Sequence, residues 1–242
     1  MSETIKYLSG GFLGDFVYQL SVIKEKFLET GMKGEVFLTN DECWKFGINK
    51  AFTDLKEIIE FQDYIADFKI YNNEQFGNFI SLSSWRDNDL LFKTDFKELF
   101  KNEYNIEFGT HKWLDLPTNQ MFNETILISS TELRCNPYFN YESLNLCNRQ
   151  IFFATTDISE YDHFSKTTNG KFNMIFFNNL KDFWIAINSC ELFVCSFGSF
   201  LCVANALYKN TIALLTHAHT DILLPKDLVN LKWFKNDYEH NL

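Results

Sequence analysis

Residues 4–38 read TIKYLSGGFLGDFVYQLSVIKEKFLETGMKGEVFL, and the order of signals in this stretch decides the fold class. Residues 4–8 are a short apolar run of strand length. A glycine turn follows, Gly10-Gly11-Phe12-Leu13-Gly14-Asp15, and then Phe16, Leu20, Ile23 and Phe27 recur at helical spacing. Gly31 supplies a helix stop, and residues 35–38 (EVFL) read as a second strand. Strand, glycine turn, helix and strand in succession form a βαβ unit, the building block of a parallel sheet.

Outward from this unit the rhythm continues. Residues 66–70 and 79–82 read as strands and 92–104 as a helix. The stretch 110–119 (THKWLDLPTN) breaks both periods and carries one of only three prolines, which places a domain junction there. Beyond it the alternation restarts. Strands are expected at 125–129, 150–154, 173–177, 192–195 and 212–215, with helices at 141–146, 160–166, 180–189 and 200–207. Strands alternating with helices in both halves predict an α/β protein of two doubly wound, Rossmann-like domains facing a central cleft, spanning 1–118 and 119–242. No tandem repeat stands out, which argues against a solenoid.

Composition narrows the function. Of 242 residues, 22 are Lys or Arg and 32 Asp or Glu, a formal charge of −10. Nucleic acid is an unlikely partner for such a chain, because affinity for a phosphate backbone comes from clustered cations. A small anionic ligand needs only a local positive site. No basic and apolar leader opens the sequence, and the apolar stretch 192–207 is interrupted by Ser196, Gly198, Ser199 and Asn205. The expectation is a cytoplasmic chain without a membrane span. The six cysteines form no CxxC pair and read as buried thiols. Arg is scarce beside abundant Asn, Phe, Ile and Tyr, which suggests an AT-rich genome of viral type. Each of Arg86, Arg134 and Arg149 therefore raises the question of bidentate anion binding.

Two glycine turns are the candidate sites of chemistry. In the first, Gly11 and Gly14 let the backbone approach a ligand at a helix N-terminus, whose unpaired N–H groups favour anions. The turn falls short of the GxGxxG dinucleotide fingerprint. Asp15 at the helix start is either a charge complementing the helix dipole or a functional carboxylate. The second turn is Ser196-Phe197-Gly198-Ser199 after LFVC. Two hydroxyls and a glycine between strand and helix can cradle a phosphate, while Ser199 can equally act as a plain N-cap.

Taken together and in this order, GGFLGD near the start and LFVCSFGSFLCVANALYKNTIALL near the end resemble the GT-B glycosyltransferases of the lipopolysaccharide heptosyltransferase type. Ala204, Ala206 and Lys209-Asn210 fall in the corresponding places of the donor-side segment. The resemblance implies transfer of a sugar from a nucleoside-diphosphate sugar to an acceptor hydroxyl, with inversion and without a metal. It implies Asp15 as the general base, and no cofactor beyond the donor substrate. The acceptor is a glycan or another hydroxyl compound. The donor set comprises Gly11, Gly14, Ser129, Arg134, Ser196, Gly198, Ser199 and His217, with Arg134 either pairing with a diphosphate or forming a surface ion pair. Two departures stand out. Phe200-Leu201 replaces a Met-His of the donor helix, and Arg134 is the nearest cation where the family carries a Lys. They keep open a catalytically inert nucleotide- or sugar-binding protein of the same fold, and a nucleotide-sugar epimerase is a third reading. Sugar, base, acceptor and oligomeric state are not legible.

Weaker candidates lie elsewhere in the chain. His217 and His219 form a two-ligand metal pair at most, or line the donor site. Glu160 serves a helix start or a ribose. Residues 83–87 (SSWRD) stack on a sugar or lie on the surface, and His111, Lys112 and Trp113 pack the junction.

Overall fold

A computed structural model describes residues 3–39, 43–44, 46–72, 77–216 and 219–235. The first half contains β1 (Thr4–Ser9), α1 (Leu13–Thr30), β2 (Lys33–Leu38), α2 (Ile48–Glu60), β3 (Ile65–Ile70), β4 (Ile80–Ser81) and α3 (Phe96–Tyr104). The second contains β5 (Thr125–Ser129), β6 (Gln150–Thr155), α4 (Ile158–Thr167), β7 (Asn173–Phe176), α5 (Leu180–Ser189), β8 (Leu192–Ser196), α6 (Ser199–Ala206), β9 (Thr211–Leu215) and β10 (Leu231–Lys235). All strand pairs are parallel, in two sheets ordered β3-β2-β1-β4 and β10-β9-β8-β5-β6-β7. Each sheet runs outward from its first strand in one direction and then reverses. The reversal falls between β1 and β4 in one sheet and between β5 and β8 in the other. In open α/β sheets, ligands bind outside the carboxyl ends of the strands at such a point.

The strand sequences explain this layering. β5 (TILIS) is buried along its whole length and β8 and β9 nearly so, as expected of strands covered on both faces. β10 (LKWFK) pairs only with β9 and leaves Trp233 half exposed. The sequence signal ends at residue 215 because an edge strand needs no continuous apolar run. The second unforeseen element, α2, buries Leu55, Ile58 and Ile59 on one face, a helical spacing the sequence reading passed over. Residues 141–147 form a 3₁₀ turn where a helix was expected, and α3 begins at Phe96, where the Asp95 side chain caps the backbone N–H groups of Lys97 and Glu98.

α1 carries the most information. It ends at Gly31 in the left-handed conformation (φ 73°), whose N–H reaches Phe27 O at 2.8 Å. Its early turns, from Phe16 to Ile23, are buried on every side. One side meets the first sheet; the other meets α6 of the second half. Asn205 of α6 donates to the Tyr18 hydroxyl at 2.7 Å in the interior. The junction segment wedges beside both helices: Trp113 Nε1 donates to Val17 O at 2.9 Å, and the Trp113 and Leu114 amides donate to Ala206 O at 3.2 Å. A single buried apolar cluster consequently runs from Tyr7 and Phe68 through Trp113 to Phe193 and Leu215. A smaller one, with Tyr141, Phe153 and Phe164, covers the other face of the second sheet.

Among the described residues no helix is long and apolar enough to cross a membrane. Five cysteines are free thiols there, and burial pushes the Cys190 thiol up to about 12.

Candidate functional site

The carboxyl ends of both sheets open onto one cleft of about 1050 Å³. Its two walls come from different halves of the chain. The first wall carries Phe12, Gly14, Asp15, Trp44, Lys50 and Arg86. The second carries Arg134, Asp157, Glu160, Asn179, Gly198 and Ser199. Where they meet, the N-terminus of α1 abuts that of α6. A Cβ on Gly14 would stand 3.3 Å from Ser199 Cα and 3.1 Å from Cys202 Sγ, so glycine here serves the close approach of two helices. Two positive helix ends thus face one space.

Asp15 sits in the first turn of α1. Its Oδ2 accepts the Phe12 amide at 3.0 Å, which is the helix-start role expected of it, and it also takes a hydrogen bond from Arg86 Nη2. Burial raises the carboxyl above its ordinary value, opposed by the Arg86 charge and by the Phe12 and Arg86 hydrogen bonds. The glycine turn before it is fastened from behind. Gln19 donates to Gly10 O at 3.1 Å and accepts from Ser9 Oγ at 2.5 Å.

On the opposite wall, α6 begins at Ser199, so Gly198 and not Ser199 is the cap residue, and no side chain caps this end. By contrast, the side chains of Asp95, Asp157 and Asn179 cap α3, α4 and α5. A Cβ on Gly198 would meet nothing within 4 Å, which matches its place at the open cleft. Arg134 stands beside this end. One Nη donates to Phe197 O at 2.8 Å, and the guanidinium lies 5.1 Å from the Phe197 ring centre. Among the described residues no carboxylate pairs with Arg134, which leaves most of its five N–H donors for an anion.

Other sequence candidates lie elsewhere. Ser129 and Ser196 end the two switch-point strands below the cleft, both buried, and Ser196 Oγ accepts the Thr131 amide at 3.3 Å. Gly11 faces a second cavity of about 440 Å³ with Thr39, Ser81, Ser83 and Arg86. His217 and the His219 side chain lie outside the described residues. Glu160 lines the cleft and accepts from Thr155 Oγ1 at 2.6 Å. His111 pairs with Glu25 at 2.9 Å, and Lys112 with Asp115 at 3.0 Å. Arg149 pairs with Glu191 away from the cleft.

The sequence reading missed the Asp15–Arg86 pair. Its signal was the scarcity of Arg, which singled out the residue but named no partner 71 positions away. The aromatic first wall was also missed, because exposed Phe12 and Phe46 look like ordinary core residues in sequence.

No protein-family model matches the chain, and neither does any curated protein sequence. Solved structures do. A glycosyl transferase of family 9 from Veillonella parvula superposes with a TM-score of 0.63 at 11% identity, over 99% of this chain and 90% of that one. The E. coli ADP-heptose lipopolysaccharide heptosyltransferase II gives 0.65 at 9% identity, over 96% and 90%. The dodecameric, iron-containing heptosyltransferase TibC of enterotoxigenic E. coli, solved with ADP-D-beta-D-heptose, gives 0.60 at 10% identity, over 97% of this chain and 63% of its own. The chain therefore has the heptosyltransferase-like glycosyltransferase fold. Among the described residues no group of three or more His, Cys, Asp or Glu side chains comes together as a metal site.

Proposed function

We propose that this protein is a glycosyltransferase of GT-B type, its two halves acting as acceptor-side and donor-side lobes, that moves a sugar from a nucleoside diphosphate to an acceptor hydroxyl with inversion. The observation that carries the reading is the pairing of opposites across one cleft. A helix end without a side-chain cap and an Arg that no carboxylate among the described residues pairs with stand on one wall, and a partly buried carboxylate stands on the other. Structural neighbours that are heptosyltransferases, one of them solved with an ADP-sugar, support it.

The chemistry follows from that arrangement. The donor's diphosphate rests against the first turn of α6 and the Arg134 guanidinium. As the bond from the anomeric carbon to the phosphate oxygen breaks, negative charge grows on the leaving diphosphate, where N–H dipoles and guanidinium already point. The acceptor oxygen attacks the opposite face of that carbon, which inverts it, and gives its proton to Asp15. A single positioned base contributes about 10²–10⁴-fold. Fixed protein dipoles and one cation supply the charge stabilisation in this scheme, with no step passing through a metal.

Donor binding tests the second wall alone. Nucleoside diphosphates and their sugars, with ADP, UDP, GDP, CDP and TDP tried in turn, are expected to raise the melting temperature for at least one base. Arg134→Gln removes the charged donor but keeps a polar side chain. A hydrogen bond to a charged group is worth about 1.5–3 kcal/mol, so calorimetric titration should show diphosphate affinity reduced about 10- to 100-fold. Undiminished affinity in Arg134→Gln places the diphosphate elsewhere.

The acid side of the rate profile is a second check. The base works only when ionised, and burial raises the Asp15 carboxyl. kcat/KM should therefore fall as pH drops, with a midpoint above the ordinary carboxylate range. A rate flat from neutral pH down to that range contradicts the assignment.

A further inference from the structure

The ion pair at Asp15 is asymmetric. Phe12 N–H and Arg86 Nη2 both donate to Oδ2, and among the described residues Oδ1 accepts no hydrogen bond. One oxygen is held twice while the other is free in a residue that lines the cleft. Arg86 is itself fixed from three sides. Its guanidinium lies 4.7 Å from the ring centre of Trp85, which is buried against Phe96. Its backbone N–H donates to Ser83 O at 3.1 Å. Its guanidinium also fills the space beside Gly11 in which any Cβ would stand, with Gly11 in the left-handed region (φ 93°). The second glycine of GGFLGD thus makes room for a side chain from the other end of the lobe, and the turn is built around Arg86 as much as around a ligand.

We propose that Arg86 is the positioning residue of the Asp15 base: it locks Oδ2 and presents Oδ1 to the acceptor hydroxyl. This rests on the reading of the cleft as a glycosyltransferase site. A planar guanidinium seated on an indole face holds one oxygen in one direction, whereas a flexible ammonium holds it in several. A carboxylate fixed at one oxygen has fewer orientations to lose as the proton transfers, and this preorganisation is the gain. Arg86 also lines both the large cleft and the smaller cavity beside Gly11, so it stands at the boundary an acceptor approaches.

Burial raises the Asp15 carboxyl most, and the Arg86 charge is the main influence that opposes it. From α6 the Cys202 thiol faces it, itself pushed up by burial and by the Asp15 charge. Beyond that thiol lie the Tyr18 hydroxyl, raised by burial, and Arg134. Thiol and phenol are neutral near pH 7, and the Arg86 guanidinium is the side-chain charge that opposes the effect of burial on Asp15.

The test compares wild type, Arg86→Gln, Arg86→Lys and Gly11→Ala, each checked for an unchanged circular dichroism spectrum. Gly11→Ala keeps the Arg86 charge and removes its place, so it tests positioning apart from charge. Carbon-13 NMR of the labelled Asp15 carboxyl gives its titration without reference to turnover. The carboxyl is expected to titrate highest in Arg86→Gln, lower in Arg86→Lys and lowest in wild type, with Gly11→Ala also above wild type. kcat is expected to fall about tenfold or more in Arg86→Gln and Gly11→Ala, with donor KM within about twofold and the acid limb moved to higher pH. Arg86→Lys should regain part of kcat. A folded Arg86→Gln or Gly11→Ala with the wild-type carboxyl titration and kcat overturns the proposal. If wild type titrates as expected but transfers and hydrolyses no donor, the glycosyltransferase reading fails, and the base role of Asp15 with it, while the ion pair stands.

Discussion

Asp15→Asn is expected to lower sugar transfer by about 10²–10⁴-fold while leaving nucleoside-diphosphate affinity within about twofold. The asymmetry follows from where the residue sits. Asp15 lies in the first turn of α1, on the wall opposite Arg134 and the start of α6, so in the proposed scheme it meets the acceptor hydroxyl and not the diphosphate. Asn keeps the shape, and its carbonyl oxygen still accepts the Phe12 amide that Asp15 now accepts at 3.0 Å. What it loses is the ability to take a proton. The fold should survive, because both side chains of the Asp15–Arg86 pair are partly exposed and an ion pair within reach of water contributes little. Single-turnover transfer and calorimetric donor titration on the same preparation check both halves. Wild-type turnover in a folded Asp15→Asn removes the base assignment, and lost donor binding with lost turnover moves Asp15 to the donor side.

Trp113→Ala carries the largest expected loss of stability. Trp113 is 1% exposed, and its ring contacts Tyr18, Phe108 and Tyr208. Its indole N–H is bonded to Val17 O of α1, its amide to Ala206 O at the end of α6, and its carbonyl accepts from Tyr64. Truncation of a buried Trp costs about 3–5 kcal/mol. In a chain of this length each kcal/mol shifts the melting point by about 2–4 °C, so a fall of about 10 °C is expected. Because one apolar cluster runs through both sheets, the variant should still melt in a single transition. Calorimetry decides the matter. A melting point within about two degrees of wild type, or two separate transitions in the variant, contradicts the role given to this residue.

The positions legible in sequence are those where one local signal suffices. β5 and α5 occur at the residues their apolar periods indicate, and Gly31 stops α1 in the left-handed conformation. The two glycine turns stand out because strand and helix signals flank them. What stayed hidden depends on distance. No period in the sequence shows that Gly11 makes room for Arg86, that Gly14 faces Ser199, or that Trp113 reaches Val17. The edge strand β10 and the amphipathic α2 were overlooked for a different reason. Partly exposed elements spread their few apolar residues among charges, and that pattern resembles a loop until the partner surface is known.

The second turn shows how one motif divides between scaffold and site. Ser196 is buried and bonded within the fold, whereas Gly198 and Ser199, two and three residues later, line the cleft. A strand-to-helix turn has a buried half and an open half, and sequence alone does not say where the division falls.

The proposed arrangement sets a diphosphate at the start of α6 across from a carboxylate on α1. A crystal structure with an ADP-sugar, or with whichever nucleotide sugar binds, examines this directly. The expected result is a diphosphate in hydrogen-bond reach of Arg134 and the first-turn amides of α6, with the anomeric carbon turned toward Asp15 Oδ1. A nucleotide seated away from Arg134, or one whose sugar points away from residue 15, would contradict it.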